Sequence, residues 1–115
     1  NNFSSKALIS LLKDRLNMVG KNYNLEINVS GESFYNSSEK LSKSLTSAIY
    51  KTLRLKPKMS TSGGTSDARF ISNICPVIEF GLVGNTMHQV NENVKISDIK
   101  KLSKIYFEFL KKIFF

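Results

Sequence analysis

The chain has 115 residues, a formal net charge of +8 and a single cysteine. Its length allows one ordinary domain at most, and its 41% hydrophobic and 23% charged residues are typical of a globular protein and exclude a disordered one. No apolar run reaches the ~20 residues that a membrane-spanning helix needs. The sequence begins without a methionine or a recognisable targeting segment, and we expect it to be a piece of a longer protein.

The first part of the chain combines a helical pattern with a strand pattern. Apolar residues recur every three to four positions after Ser4 and Ser5, which predicts a helix that ends at Gly20. Apolar and polar residues then alternate over residues 25–29, which predicts a half-buried strand. Residues 30–33, Ser-Gly-Glu-Ser, interrupt this pattern and predict a connector, so we expect a domain boundary between residues 31 and 32.

The remaining elements follow from helical periodicity and from proline and serine positions. A second amphipathic helix begins after Ser37 or Ser38 and ends before Pro57, because the residue before a proline avoids helical angles. Ser97 is predicted to cap a last helix that runs to Phe115. Between these helices we predict an extended piece at 58–60, a helix at 66–74, a buried strand at 77–82 and a loop at 83–94. The resulting order, α-β-α-(β)-α-β-α, predicts a layered α/β fold.

The positive charges are spread along the chain and do not form a cluster. They fall on the polar sides of two predicted helices, as solvated helix faces usually do. Aromatic residues do not alternate with these lysines, as a stacking surface for nucleic acid would require, so no nucleic-acid partner is predicted. The lone Cys75 excludes an internal disulfide and a thiolate metal cluster, and we expect it to be a buried thiol of a cytosolic protein.

A glycine pair followed by hydroxyl and acidic residues is the most informative motif. Two glycines let the backbone approach a ligand closely, and the N–H groups of the following helix would face an anion. Taken alone, the same residues are more often a tight turn with a helix cap. The motif is Gly63-Gly64-Thr65-Ser66-Asp67-Ala68-Arg69-Phe70.

The only histidine, His88, follows this motif in a loop at the expected C-terminal end of a strand, where ligands bind in open α/β sheets. A neutral imidazole could ligate zinc there. However, a zinc site takes three or four protein ligands, and the chain has one histidine, one cysteine and scattered carboxylates. On composition alone, a lone loop histidine is more often a surface residue than a ligand. Ser66 with His88 does not predict a serine hydrolase, because the nucleophile-elbow glycines and an orienting acid are missing.

In their order along the chain, these motifs resemble the C-terminal part of the succinyl-diaminopimelate desuccinylase family. The resemblance runs through nearly the whole sequence; acetylornithine deacetylase and carboxypeptidase G, which belong to the same di-zinc superfamily, are similar to it less closely. The matching segments are Ser30-Gly31-x-x-Phe34, the glycine motif at 63–70 with Ile71, Glu79-Phe80-Gly81, and Thr86-Met87-His88-Gln89-Val90-Asn91-Glu92.

The resemblance implies the C-terminal part of a zinc-peptidase-like three-layer α/β catalytic domain, with the tail of an inserted α+β lid domain through which two subunits pair. Residues 1–31 would be the lid tail and residues 32–115 the end of the catalytic domain. The implied reaction is hydrolysis of N-succinyl-LL-2,6-diaminopimelate to succinate and LL-2,6-diaminopimelate, in the bacterial cytoplasm, for lysine and peptidoglycan precursors. Two alternatives stay open: a related N-acyl amino acid deacylase such as acetylornithine deacetylase, and a non-catalytic binding module that keeps this half of the fold.

The resemblance also implies the cofactor, the partners and the site residues. Two Zn²⁺ ions, one replaceable by another divalent ion, would polarise the amide carbonyl and activate a water. His88 would ligate one zinc, Gly64 and Thr65 would contact the anionic end of a small-molecule substrate, and Ser30 would lie near the site. The family's other metal ligands and its catalytic glutamate lie upstream, so we expect this chain alone to contain no catalytic residue and to be inactive. A homodimer is implied for the full enzyme, and neither nucleic acid nor a membrane is an implied partner.

Three positions depart from the family pattern. Ser33 stands where the family usually has proline, which predicts a looser connector because serine does not restrict the chain as proline does. Gly84 stands where many members have an asparagine that contacts substrate, so that contact is not carried over. Ala68 replaces a common glycine, a change that a helical turn tolerates.

Overall fold

The computed structural model describes residues 3–20, 22–35, 38–61 and 66–115. In these ranges the chain forms four helices and no β-strand. None of the helices in the described ranges is long and apolar enough to cross a membrane. The helices are α1 (Ser5–Val19), α2 (Glu39–Leu53), α3 (Ala68–Ile71) and α4 (Ile96–Phe114).

The first two helices begin where their serine caps predict. The Ser4 hydroxyl accepts a hydrogen bond from the Ala7 N–H at 3.2 Å, and the Ser38 hydroxyl accepts one from the Leu41 N–H at 3.4 Å. Each cap satisfies an N–H group that has no partner inside the helix. α1 ends at Gly20, as predicted, and α2 ends at Arg54, which takes the left-handed conformation that often terminates a helix.

The last two helices differ from their predicted bounds. α4 begins at Ile96, because the carbonyl of Lys95 already accepts the Asp98 N–H at 2.9 Å, so the prediction that Ser97 caps this helix is wrong. α3 has four residues instead of the predicted nine. Beyond it the backbone turns through tighter bonds, including Ile74 N–H to the Ile71 carbonyl at 2.9 Å, and Pro76 follows.

The core lies between α2 and α4. Leu45, Ala48 and Ile49 of α2 and Ile105 of α4 are buried, and Ile105 is 1% exposed. At the edge of this contact, Lys51 of α2 forms an ion pair with Glu108 of α4 at 2.5 Å. The helix pair is therefore joined by apolar packing along its centre and by a charge pair at its surface.

Residues 77–80 pack on the outside of this helix pair. Ile78 and Phe80 contact the buried cluster, and the Phe80 ring meets the Tyr106 ring edge to face, with 6.4 Å between centroids. The Tyr106 hydroxyl also donates a hydrogen bond to the Phe80 carbonyl. The apolar segment thus has helices on one side, but it lies in no sheet, and the same holds for residues 25–29. A strand requires a neighbouring strand to receive its backbone hydrogen bonds, and the described residues supply none for either segment.

α1 packs against no other helix among the described residues, and none of its own residues is buried. Its apolar side chains Leu8, Leu11 and Leu12 are about half exposed. The prediction that Cys75 is buried is also wrong: the thiol is exposed, in the turn between α3 and Pro76, where no helix covers it.

The molecule is extended, and its surface is large for its mass. Its accessible area is 9751 Å², whereas a compact monomer of this mass exposes about 6300 Å². Its radius of gyration is 19.1 Å, against about 13 Å for a compact domain of this length. The described part of the chain therefore has a small core, between α2 and α4, and much uncovered apolar surface.

Candidate functional site

The connector 30–33 and α3 meet through Arg69. Its Nη1 donates a hydrogen bond to the Ser30 hydroxyl at 3.4 Å, although the two residues are 39 positions apart. The guanidinium lies 4.7 Å from the centroid of the Phe70 ring, a cation–π distance. The structure therefore brings Ser30 next to α3, which begins inside the glycine motif.

The connector is also joined to the start of α1. The Glu32 carboxylate accepts hydrogen bonds from the Ser5 N–H at 2.8 Å and from the Ser5 hydroxyl. These bonds favour the ionised carboxylate and hold the pKa of Glu32 below its ordinary value. The Ser33 hydroxyl adds a hydrogen bond to the Phe3 carbonyl at 2.9 Å. Although proline is absent at position 33, its serine ties the connector to the chain before α1.

A groove of about 1160 Å³ runs between this connector and α2. Gly31, Glu32, Ser66 and Arg69 line one part of it, and side chains of the α2 core line another. His88 is not among the lining residues. Residues of the glycine motif and of the small core thus line the same groove.

His88 lies in a loop that is held by its own hydrogen bonds. The Thr86 hydroxyl donates to the Asn93 carbonyl at 2.9 Å and accepts from the Asn93 N–H at 3.0 Å, so one side chain closes the loop in both directions. His88 is exposed and has φ 63°, in the left-handed region that a residue with a Cβ seldom occupies. The loop therefore holds the imidazole at its surface in a strained backbone conformation.

Gly84, one of the positions at which the sequence departs from the family pattern described above, is closely approached by Met87. A Cβ at position 84 would lie 2.5 Å from the Met87 Cε and 3.3 Å from its Cβ. The glycine carbonyl accepts the Met87 N–H at 3.2 Å. A side chain at this position would therefore require Met87 to move.

Of the predicted substrate-binding residues, Gly64 and Thr65 lie outside the described residues, together with Gly63. Immediately after them, the Ser66 hydroxyl accepts the Ala68 N–H at 3.2 Å, but the N-cap residue of α3 is Asp67, whose side chain makes no capping hydrogen bond. α3 is only one turn long, so its dipole adds little to anion binding at the turn before it.

The described residues do not form a metal site by themselves. No group of three or more His, Cys, Asp or Glu side chains within the described ranges could hold an ion. A zinc site needs three or four protein ligands, and His88 supplies one imidazole. The donors present in the described part of this chain therefore do not fit a complete zinc centre.

Sequence reasoning gave no role to Arg69 or Glu32. Arg69 lies inside the glycine motif, but a contact across 39 residues leaves no periodic signal in the sequence. The sequence indicates a role for Arg69 in one way only, because it places an arginine close to an expected anion-binding turn. No hydrogen bond among the described residues joins the His88 loop to the connector, so the structure brings Ser30 and Arg69 together and leaves His88 in a separate loop.

The chain is similar to known bacterial proteins over almost its full length. It is 49% identical over 120 residues to a succinyl-diaminopimelate desuccinylase of Pelagibacter ubique (strain HTCC1062), a match that covers 97% of this chain and 31% of that protein. Proteins with the same name from Rickettsia bellii (strain RML369-C) and Ehrlichia chaffeensis (strain ATCC CRL-10679 / Arkansas) are 44% and 43% identical, and the matches cover 92% and 99% of this chain. The matches span 27% and 30% of those two proteins, so the chain corresponds to about 30% of the length of these relatives.

The family comparison covers nearly the same part of the chain. A model of Peptidase family M20/M25/M40 matches residues 6–112, which include the connector, the glycine motif and the His88 loop. This family is generally metal-dependent and acts on small molecules. The chain therefore belongs to Peptidase family M20/M25/M40.

Proposed function

We propose that this chain is the C-terminal portion of a zinc-dependent amide hydrolase that converts N-succinyl-LL-2,6-diaminopimelate and water to succinate and LL-2,6-diaminopimelate in the bacterial cytoplasm. The main support for this proposal is that the chain is 43 to 49% identical to three succinyl-diaminopimelate desuccinylases over at least 92% of its own length. The relatives' names support the substrate, and the family supports hydrolysis. The collinear motifs at 30–34, 63–71, 79–81 and 86–92 support the same reading.

The uncovered apolar surface supports a larger parent protein. The chain exposes about 3400 Å² more than a compact monomer of its mass would. Large hydrophobic side chains are more than half exposed in several elements, among them Met18, Ile74, Phe107 and Phe114. We propose that the remaining 70% or so of the enzyme covers this surface, and that it pairs with residues 25–29 and 77–82 as strands of the three-layer α/β catalytic domain.

The position of the connector supports the proposed domain assignment. Residues 1–31 form the proposed tail of the lid domain and residues 32–115 the end of the catalytic domain. The isolation of α1 from the other described helices supports this division. In the full enzyme the half-exposed leucines of α1 are covered by the rest of the lid, and the lid joins two subunits in a homodimer.

In this proposal His88 is one zinc ligand, and Gly64, Thr65 and Ser30 contribute to the substrate site. The exposure of His88 supports its role as a zinc ligand, because the imidazole is accessible to a zinc ion whose other ligands come from another part of the enzyme. When bound, two zinc ions would polarise the scissile amide carbonyl and supply an activated water. This chain contributes binding and orientation, and we propose that it is inactive alone because the other ligands and the catalytic glutamate are not in it.

The test is zinc-dependent release of succinate from N-succinyl-LL-2,6-diaminopimelate by the full-length gene product that contains this sequence. Turnover that His88→Ala abolishes, together with a loss of bound zinc measured by metal analysis, would support the proposal. Lys100→Ala, at an exposed position of α4, is the control and should keep both properties. Turnover of an N-acetyl substrate alone would favour a related deacylase such as acetylornithine deacetylase. Zinc-loaded protein with no amide hydrolysis would favour a binding module, and turnover by the 115-residue chain alone would contradict its proposed inactivity.

A further inference from the structure

The side chain of Arg69 lies directly against the backbone of the connector. A Cβ built on Gly31 would lie 2.9 Å from the Arg69 Cδ, closer than real Cβ atoms approach other atoms, and 3.1 Å from the Arg69 Nε, which is a tight contact. Gly31 does not have a positive φ, so its backbone would accept alanine. A side chain at position 31 would therefore require the Arg69 side chain to move, because Arg69 occupies the space beside Gly31.

The same guanidinium is enclosed without being fully hydrogen-bonded. Its Nε is buried and has no hydrogen-bond partner among the described residues, while its Nη1 reaches Ser30. A buried N–H without a hydrogen bond destabilises the folded chain, so hydrogen bonding alone does not explain why the Arg69 side chain lies against the connector.

The connector links this arginine to α1. Ser30 and Gly31 contact Arg69, and the next residue, Glu32, accepts two hydrogen bonds from Ser5 at the start of α1. A continuous path of contacts therefore runs from α3, whose first three residues belong to the glycine motif, through the connector to the first turn of α1. If Arg69 moved, the contact between α3 and the connector would be lost.

We propose that Arg69 is a positioning residue that fixes the connector, residues 30–33, relative to α3 by filling the space beside Gly31. This inference deepens the proposed function and rests on it, because Gly64 and Thr65, which precede α3 in the sequence, are proposed substrate-binding residues and residues 1–31 the proposed lid tail. Arg69 does not touch the reacting atoms in this role. Through its contacts with Ser30 and Gly31, it holds the connector beside α3, and the proposed substrate-binding residues Gly64 and Thr65 precede α3 in the sequence.

The first experiment is a double-mutant cycle on the full-length gene product, with Arg69→Ala, Gly31→Ala and the double variant. Each single variant should lower kcat/KM for N-succinyl-LL-2,6-diaminopimelate by about 10- to 100-fold, the range for an Å-scale misplacement of reacting groups, at temperatures well below unfolding. The double variant should be no worse than Arg69→Ala, because the added methyl group then has nothing to displace. Gly20→Ala, where a Cβ would meet no atom within 4 Å, is the matched control and should leave kcat/KM unchanged.

A merely structural role for Arg69 would lower the unfolding temperature of both single variants and leave kcat/KM at low temperature unchanged, which would overturn the proposal. Multiplicative losses in the double variant would also overturn it, because the two sites would then act independently.

A second measurement does not depend on activity. Amide hydrogen exchange should become faster in residues 31–33 and in the first turn of α1 in Arg69→Ala and Gly31→Ala, and not in Gly20→Ala. If the wild-type protein hydrolyses no succinyl substrate, the proposed function fails, yet this exchange pattern would still support Arg69 as the link between connector and α3. Unchanged exchange in an active wild-type background would overturn the link and leave the proposed function intact.

Discussion

The left-handed backbone at His88 leads to a stability prediction that can be separated from metal binding. A residue with a Cβ costs about 1–2 kcal/mol in this conformation, and His88 has φ 63°. Glycine removes this cost but gains about 0.4–1 kcal/mol of freedom in the unfolded chain, which offsets part of the benefit. We therefore expect His88→Gly to be more stable than His88→Ala by about 0.5–1 kcal/mol.

The comparison between glycine and alanine makes the metal irrelevant, because both variants lack the imidazole. His88 is exposed, so little packing is lost in either case. The assay is urea unfolding of the full-length gene product, with the midpoint and slope measured for both variants. Lys100, at an exposed site inside α4, supplies the opposite control: there glycine should be less stable than alanine by about 1 kcal/mol.

Arg54 is a second test position, because it has φ 58° at the end of α2 and no proposed ligand role. It should show the same sign as His88. Suppose that His88→Gly is not more stable than His88→Ala, while the variants at Arg54 and Lys100 behave as expected. The left-handed backbone at position 88 then does not destabilise the protein. The loop would then be organised by the Thr86–Asn93 hydrogen bonds alone, and the reasoning about strain would be refuted.

Four further predictions concern the core, the loop, the connector and the exposed surface. Ile105→Ala should destabilise the protein by about 2–5 kcal/mol in urea unfolding, and Ser103→Ala on the exposed side of α4 by less than about 0.5 kcal/mol; equal effects would contradict the placement of the core. Thr86→Val should lose about 1 kcal/mol that Thr86→Ser largely retains, since serine keeps the hydroxyl that bonds Asn93. Because hydrogen bonds from Ser5 lower the pKa of Glu32, its contribution to stability is present above the ordinary glutamate range and is lost as the pH falls through the lowered value, so Glu32→Gln should flatten the acid limb of an unfolding-versus-pH curve. The 115-residue chain alone should self-associate in light scattering and bind a hydrophobic dye, and a monodisperse monomer at high concentration would contradict the reading of its surface.

The elements that the sequence predicts well depend on neighbouring residues only. The serine caps of α1 and α2 accept hydrogen bonds from N–H groups three residues away, so Ser4 and Ser38 predict the starts of these helices from the nearby sequence alone. Ser97 misled because Lys95 already has the extended backbone of a cap residue, φ −70° and ψ 130°, and starts α4 without using its side chain. The length of α3 was overestimated because the Ser72 hydroxyl bonds the Arg69 carbonyl and tighter turns replace the helix.

The features that the sequence did not reveal depend on distant contacts. An alternating pattern predicts a strand, but a strand forms only beside a partner, and residues 25–29 and 77–82 find none in the described part of the chain. Burial of Cys75 was inferred from apolar neighbours in sequence, while its neighbours in space leave it exposed. The contact between Arg69 and Gly31 spans 38 positions, and the glycine reads as an ordinary turn residue until the arginine is seen beside it.

The pairing of α2 with α4 has a consequence for how the two candidate loops behave together. Both the glycine motif and the His88 loop lie in the stretch between these helices, and the ion pair Lys51–Glu108 links the two helices across 57 positions. The helix pair therefore closes one long loop, and the small core around Ile105 stabilises this closure. If the pair opens, both functional segments lose their anchor in the same event. Their local unfolding should then be cooperative, with matched exchange rates in the two loops rather than independent ones.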